Sequence, residues 1–408
     1  MIKSIKENFE PNKLIRNIEI CVLVLLVAVS AICFAIGFKK VGSYDGELTY
    51  VGSLQMERLF DEEDYDEDST VCDVIFESDE KQMVVTYSYE EYEELDIESI
   101  TAYEYVMEDG NSLCFANENP TNEEVLSAYQ QVMTVETMPI FNGGISALIL
   151  LMSVALILCY SKFFTTYEKS WFITIMVLAT FVSVLFPEES ANGINGVVIM
   201  LLYLLDTFFN ILCELLISKQ SRYNFLVSVV VEILEILICV VLMYRFATMV
   251  TTLFFWLPID IASFINWTKH KDDQEDELTV VRRLKGYQEV LIILAIIVWT
   301  VVVGYFLSGL DIQTDFFGGN RNLEVAIAYM DACASAVGVA NGLFIFFRLR
   351  EQWVAWYICA ILEGLINIVT GQYVLLVLKL GYITNTTYGY IKWSKYIKEH
   401  KEEKLTLL

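Results

Sequence analysis

Five carboxylates interrupt otherwise apolar stretches of this chain: Glu232, Glu235, Asp260, Asp331 and Glu363. A charged side chain facing lipid costs roughly 2.5–3.5 kcal/mol or more, so such groups turn to a bundle interior or a water-filled path. Clustered there they attract a cation, or share a proton that relieves their mutual repulsion. The competing reading is a set of protonated acids bonded to backbone or to Ser and Thr. Asp331 reads as structural, near the outer end of its stretch. Trp353 and Trp356 lie one helical turn apart and, seven residues further on, comes Glu363. Two indoles at that spacing can stack on a planar or cationic ring; the competing reading is an interfacial aromatic belt. Trp256, Asn341, Asn367, Asn385 and Tyr388 are further polar or aromatic candidates, and Pro258 should kink its helix. The two histidines, His270 and His400, stand in basic segments without catalytic partners. With no phosphate-binding loop, dinucleotide fingerprint or spaced metal-ligand set, the chain reads as neither an enzyme nor a cofactor or metal protein.

The elements that must carry these residues are membrane spans. The 408 residues are 55% hydrophobic, with a mean hydropathy of +0.49, and the apolar residues gather into runs near the roughly 20 residues a bilayer requires. Ten spans are expected: 17–38, 139–160, 171–186, 195–217, 223–245, 247–267, 287–307, 325–347, 353–370 and 373–393. The first is too long for the apolar core of a signal peptide and lacks its cleavage site. With the N-terminus inside, 20 Lys or Arg fall on the inner side and 6 on the outer, Arg245 among the latter, while Lys379 stays inside a span. That bias predicts inner N- and C-termini.

The net charge of −26 is local. Residues 41–138 hold 27 Asp or Glu against Arg58 and Lys81, and orientation puts this segment outside the cell. So acidic a surface excludes nucleic acid as a partner. Strand-like Cys72–Phe76 and Met83–Tyr89 flank the turn Ser78-Asp79-Glu80-Lys81. Ala102–Val106 and Leu113–Phe115 flank Asp109-Gly110, a hairpin signal. Thr121 and Glu124 form a capping-box pattern for a helix leading into the second span. The acidic run 61–68 lacks the spaced ligands and glycine of a calcium loop and reads as a solvated loop. Cys72 and Cys114 can form a disulfide if this module faces an oxidising space; the other seven cysteines sit in apolar runs as small hydrophobes.

The second half repeats itself. Ile233-Leu234-Glu235-Ile236-Leu237 returns as Ile361-Leu362-Glu363-Gly364-Leu365, and Trp267-Thr268-Lys269 as Trp393-Ser394-Lys395. Both Trp are expected as anchors at the inner interface. The fold class is therefore an all-α integral membrane protein. Its last seven helices form a three-one-three parallel repeat with a site between the repeats, preceded by three extra helices and a small α/β or β insert. The domains are residues 1–40 (N-terminal segment and first span), 41–138 (acidic module), 139–194 (two further spans), 195–398 (core) and 399–408 (tail).

Asp331, Arg348, Glu351, Trp353-Val354-Ala355-Trp356, Gly371-Gln372-Tyr373, Gly389 and Trp393 together form a pattern that resembles the PnuC family of nicotinamide riboside transporters. A looser echo runs through Asn224-Phe225, Pro258-Ile259-Asp260 and Trp267-Thr268-Lys269-His270. The resemblance covers about Asn195 to Lys398. It implies a seven-helix parallel-repeat fold related to the SWEET sugar transporters. It also implies facilitated uptake of a vitamin-like nucleoside with cytoplasmic trapping by a kinase, and a homotrimer in the membrane lipid. Where the family carries amides, this chain has Ala360, Glu232, Asp260 and the shorter Asn341. The exchange favours a positively charged small-molecule substrate, such as the pyridinium of nicotinamide riboside or the thiazolium of thiamine. In that reading Trp353 and Trp356 stack the ring, while Glu363, Glu235 and Glu232 supply negative potential. Asn341 and Asp260 hydrogen-bond, with Trp256 and Tyr388 alongside. The alternatives are a thiamine-type transporter of the same family, or a non-transporting receptor or assembly subunit that works through its acidic module.

Overall fold

A computed structural model describes residues 13–42, 48–58, 71–78, 81–88, 99–107, 112–188, 194–242, 245–269, 283–309 and 320–399. The acidic run 61–68, His270, His400 and the tail from 400 lie outside the described residues. Two compact units emerge: one of Phe34–Met138, the other of Met1–Cys33 with Pro139–Leu408.

The first unit is built on a five-stranded antiparallel sheet. Its strands are β1 (Thr49–Arg58), β2 (Val71–Ser78), β3 (Lys81–Ser88), β4 (Ser99–Val106) and β5 (Ser112–Phe115), in the order β3-β2-β1-β4-β5. Both expected hairpins form, with Val74 opposite Val85 and Tyr105 opposite Leu113. The central strand β1 was not expected. Its Met56 is fully buried with Val74, Phe76, Met83 and Ala102, and its Leu54 packs against them. β1 and β4 stand between the strands that carry Cys72 and Cys114. The Cys72 side chain is outside those described, and with it the expected disulfide.

The second unit is helical, and two of its helices, Lys13–Gly42 and Asn122–Cys159, run on into the first. Helix α1 is Lys13–Gly42, α2 Asn122–Cys159, α3 Thr166–Leu185, α4 Gly196–Ser218 and α5 Asn224–Leu242. Helix α6 is Phe246–Lys269, α7 Gly286–Leu307, α8 Arg321–Phe346, α9 Gln352–Val369 and α10 Tyr373–Glu399. All ten expected helices are present. Among the described residues, nine of them are long and apolar enough to cross a membrane. The tenth, α10, is long enough but carries Lys379, Asn385 and Thr386, which are buried against other helices. Helix α7 exposes apolar side chains around most of its circumference, as Leu291, Ile293, Leu294 and Phe306 illustrate; a helix of that kind is at home in lipid. The expected capping box starts α2: Thr121 N donates to Glu124 Oε2 at 2.6 Å, and Glu124 N to Thr121 Oγ1 at 3.3 Å.

Pro258 shapes α6 through a wider turn upstream. Proline has no N–H for the carbonyl four residues before it, and residues Thr252–Trp256 form a π-helical turn. Such turns recur where a helix departs from regular winding. This one lays Phe255 against α8 at Gly342, where an added Cβ would come within 2.6 Å of the ring.

Two parts of the helical unit share local geometry. The turns before α5 and α9 each hold a residue with left-handed backbone, Gln220 (φ 59) and Arg348 (φ 58). Early in each following helix an aromatic ring meets a tryptophan edge-on. Phe225 meets Trp267 at 5.1 Å between centroids, and Trp353 meets Trp393 at 5.6 Å. The two tryptophans also touch each other, 6.1 Å between centroids. All three tryptophans are fully buried. Trp267 and Trp393 are thus packing residues rather than interfacial anchors: a ring enclosed on every side makes no contact with lipid headgroups.

Candidate functional site

A cavity of about 90 Å³ opens inside the bundle between α4, α5, α6, α8, α9 and α10. Its wall is unusually charged for a membrane interior. At one end Glu363 on α9 takes two cations. Arg245, at the start of α6, donates through Nη2 to Glu363 Oε1 at 2.8 Å, and Lys379 on α10 pairs with Glu363 Oε2. All three residues are buried. Nearby, Glu235 Oε2 accepts from Thr252 Oγ1 at 3.1 Å. Asp206 on α4 accepts from Asn210 Nδ2 at 2.8 Å, and Asn210 Oδ1 accepts from the Tyr382 hydroxyl. A buried pair of this sort holds because each charge has a partner; removing one strands the other.

The opposite end has no such balance. Glu232 on α5 and Asp260 on α6 line the same cavity, 5% and 3% exposed. Glu232 Oε1 accepts from Ser228 Oγ at 3.4 Å, whereas Glu232 Oε2 and Asp260 Oδ2 have no hydrogen-bond partner among the described residues. Glu214 also faces the cavity, but Asn385 Nδ2 donates to its Oε2 at 3.0 Å. Between the two ends stand Trp256 and Trp356, stacked at 6.3 Å between centroids with an 18° interplanar angle. Asn341 fixes the second of them: with its amide oriented to suit its neighbours, Nδ2 donates to Gln352 O at 3.0 Å and Oδ1 accepts from Trp356 Nε1 at 3.3 Å.

The helices around this cavity match a known family. Residues 200–395 fit the profile described as nicotinamide mononucleotide transporter. Over these residues the chain is similar to the PnuC family. The chain is similar to a curated protein named nicotinamide riboside transporter PnuC from Neisseria mucosa, 22% identical over 245 residues, 58% of this chain and 84% of the relative. A protein of the same name from Haemophilus influenzae is 22% identical over 235 residues, 57% of this chain and 91% of the relative. A crystal structure described as that of the vitamin B3 transporter PnuC aligns with a TM-score of 0.45 at 23% identity, covering 58% of this chain and 94% of that one. The chain is a multi-pass membrane protein whose PnuC-type part lies in its C-terminal half.

Within this PnuC-type core, the expected site residues divide. Trp256, Trp356, Glu232, Glu235, Asp260 and Glu363 line the cavity. Asn341 stands behind it and holds Trp356. Trp353 and Tyr388 do not line it. Trp353 is enclosed in the Trp267–Trp393 cluster, so it has no face to offer a ligand. Tyr388 points to α3, where its hydroxyl donates to Glu168 Oε1 at 3.0 Å. Glu168 is also met by Lys219 Nζ at 3.3 Å, Lys392 Nζ at 3.4 Å and Thr165 N at 2.8 Å. This knot fastens α3, which precedes the family match, to α4 and α10. The repeat positions of Glu235 and Glu363 suggested a proton or a bound cation held between them; Glu363 meets two cations of the chain itself, and Glu235 takes the Thr252 hydroxyl. The chain supplies its own cations, Arg245 and Lys379. Nor is Arg245 an outer-loop charge, since it is 4% exposed. Asp331 is structural, as expected: it accepts from Ala247 N at 3.0 Å and Thr248 Oγ1 at 2.6 Å, capping the start of α6. Asp206 and Glu214 were missed, although each is an acid inside an apolar span and therefore carried the same signal as Glu232.

Proposed function

We propose that this protein moves nicotinamide riboside, or a closely related cationic vitamin such as thiamine, across the cell membrane through the charged cavity. The observation that carries the reading is how the cavity's charges are spent. Both cations in its wall are committed to Glu363, while Glu232 and Asp260 have none among the described residues. A phosphate group would enter next to uncompensated carboxylates and find no unengaged cation to bind it. A cationic ring would supply the charge the acidic end lacks. This favours the nucleoside over its phosphorylated form. The Trp256–Trp356 pair suits a flat ring: the two indoles are near-parallel, 18° apart with centroids 6.3 Å from each other, and a planar ring stacks on such a face once the indoles part to admit it.

The rest of the reading follows the family. The seven helices from α4 to α10 form two three-helix repeats joined by α7, a view supported by the matched turns at Gln220 and Arg348 and the matched ring pairs. Both termini lie in the cytoplasm and residues 41–138 outside, on the Lys and Arg bias. Transport is facilitated diffusion with cytoplasmic trapping, by a homotrimer. Uptake of labelled nicotinamide riboside, nicotinamide mononucleotide and thiamine into vesicles holding the purified protein tests the substrate. Accumulation of the riboside to its external level, without uptake of the mononucleotide, is expected. Uptake of thiamine alone would move the chain to the thiamine reading, and uptake of none would sink the proposal.

A further inference from the structure

We infer that Glu232 and Asp260 form a proton site whose proton is exchanged for the positive charge of the substrate. The inference rests on the cavity being the substrate site.

The argument begins from the two oxygens left without partners. Glu232 Oε2 and Asp260 Oδ2 belong to residues that are at least nine-tenths buried and face one cavity. An ionised carboxylate buried without a cation or a full set of donors is costly, and two side by side more so. A proton held by the pair removes one charge and turns one bare oxygen into a donor. Nearby groups do not supply a different remedy. From α4 the cavity receives Asp206, Glu214 and the Cys213 thiol, and from α5 Glu235, all acids or neutral. From α10 comes the Tyr382 hydroxyl, which donates to Asn210. No charged residue of α8 lines the wall. The cations Arg245 and Lys379 are bound to Glu363 at the other end.

A pyridinium or thiazolium ring seated against Trp256 and Trp356 changes this balance. Its fixed charge then faces the acid pair, both carboxylates ionise, and the proton on the carboxyl oxygen passes to water. No other bond forms or breaks. When the substrate leaves, a proton from water returns. The linkage has a sign: because the empty cavity holds more protons than the loaded one, affinity for the cation rises with pH, by up to about tenfold per unit where the pair titrates. A neutral ligand of the same shape gains nothing from this exchange.

Two measurements on the full-length protein in nanodiscs test it. Calorimetric titration with nicotinamide riboside, repeated at one pH in phosphate and in Tris, reads the protons released per ligand. A release approaching one is expected, and binding with no release overturns the inference. Infrared difference spectra of the empty protein read the protonated carboxyl band directly. It is expected to weaken in Glu232→Gln and in Asp260→Asn, and on adding the riboside to the unaltered protein. A band that neither substitution alters overturns the inference whatever the substrate. If the riboside does not bind at all, the proposed function fails, while the band in the empty protein still decides for or against the proton site.

Discussion

The two ends of the cavity hold the same residue type in opposite circumstances. Glu363 is flanked by Arg245 and Lys379. Glu232 and Asp260, separated from it by a pair of indoles, line the same cavity with no cation paired to them among the described residues, Glu232 taking the Ser228 hydroxyl. The first end is a closed electrostatic unit joining α6, α9 and α10, and its work is to hold helices together. The second is open in charge, and in the proposed function it receives the positive charge of the substrate. Composition alone does not separate them: all three are acids in apolar helices. Their partners do.

That contrast predicts its largest effect at Glu363. Replacing it with Ala leaves Arg245 and Lys379 buried without a counter-charge, a loss of about 3–5 kcal/mol. Thermal unfolding in detergent should shift strongly downward and transport should vanish with it. Asp260→Asn and Glu232→Gln each remove an acid that has no cation beside it. They are expected to leave the unfolding temperature unchanged or raised, while weakening binding of a cationic ligand by about tenfold or more. Equal destabilisation at both ends would erase the distinction.

The tryptophans extend the comparison. Trp353→Ala removes a fully enclosed ring from the cluster with Trp267 and Trp393, at a cost of about 3–5 kcal/mol, and should impair folding first. Trp356→Ala removes one wall of the ring slot and the hydrogen bond that its Nε1 donates to Asn341 Oδ1. It should raise the substrate concentration for half-maximal uptake by about tenfold, a loss of stacking of roughly 1–2 kcal/mol, with folding much less affected. Trp356→Phe, which keeps a ring but no N–H, should fall between. If Trp353 proves the more sensitive for affinity in folded protein, the slot is misplaced.

Residues 353 and 356 also mark how far the sequence alone could be read. Their type and spacing announce a pair on one helix, and both were expected to stack on substrate. Only the packing of α10, with Gly389 admitting the Trp353 ring, divides them. The ten helices were legible because a bilayer demands long apolar runs, and the two hairpins because their turn residues are explicit. Strand β1 was passed over although Leu54-Gln55-Met56-Glu57 alternates; its two partners lie elsewhere in the chain, and nothing local shows that it is central. Arg245 looked like a loop charge for the same reason. Its counter-ion is Glu363, more than a hundred residues away, and local sequence does not report such a partner. The acids were found by being out of place. Which of them are neutralised is a property of the fold.

The smallest effect concerns a carboxylate with partners but no burial. Glu124, at the start of α2, is exposed, and the Thr121 backbone N–H followed by the Thr121 hydroxyl holds its carboxyl below the usual range. A carboxylate whose value falls on folding contributes stability above its unfolded value, about 4.3. That contribution is lost as pH drops through the lower folded value. Protection of amides 122–128 from hydrogen exchange should therefore hold at neutral pH, once the intrinsic pH dependence of exchange is removed, and decline only in acid below about pH 4. Thr121→Ala removes the cap, weakens this helix start by about 1 kcal/mol at neutral pH, and flattens the acid decline. Because both ends of the cavity lack such exposure, the same acidification should leave the Glu363 cluster intact while the helix start frays. Simultaneous loss of the two would mean that the cavity's charges are open to solvent, and that its ends differ less than their partners imply.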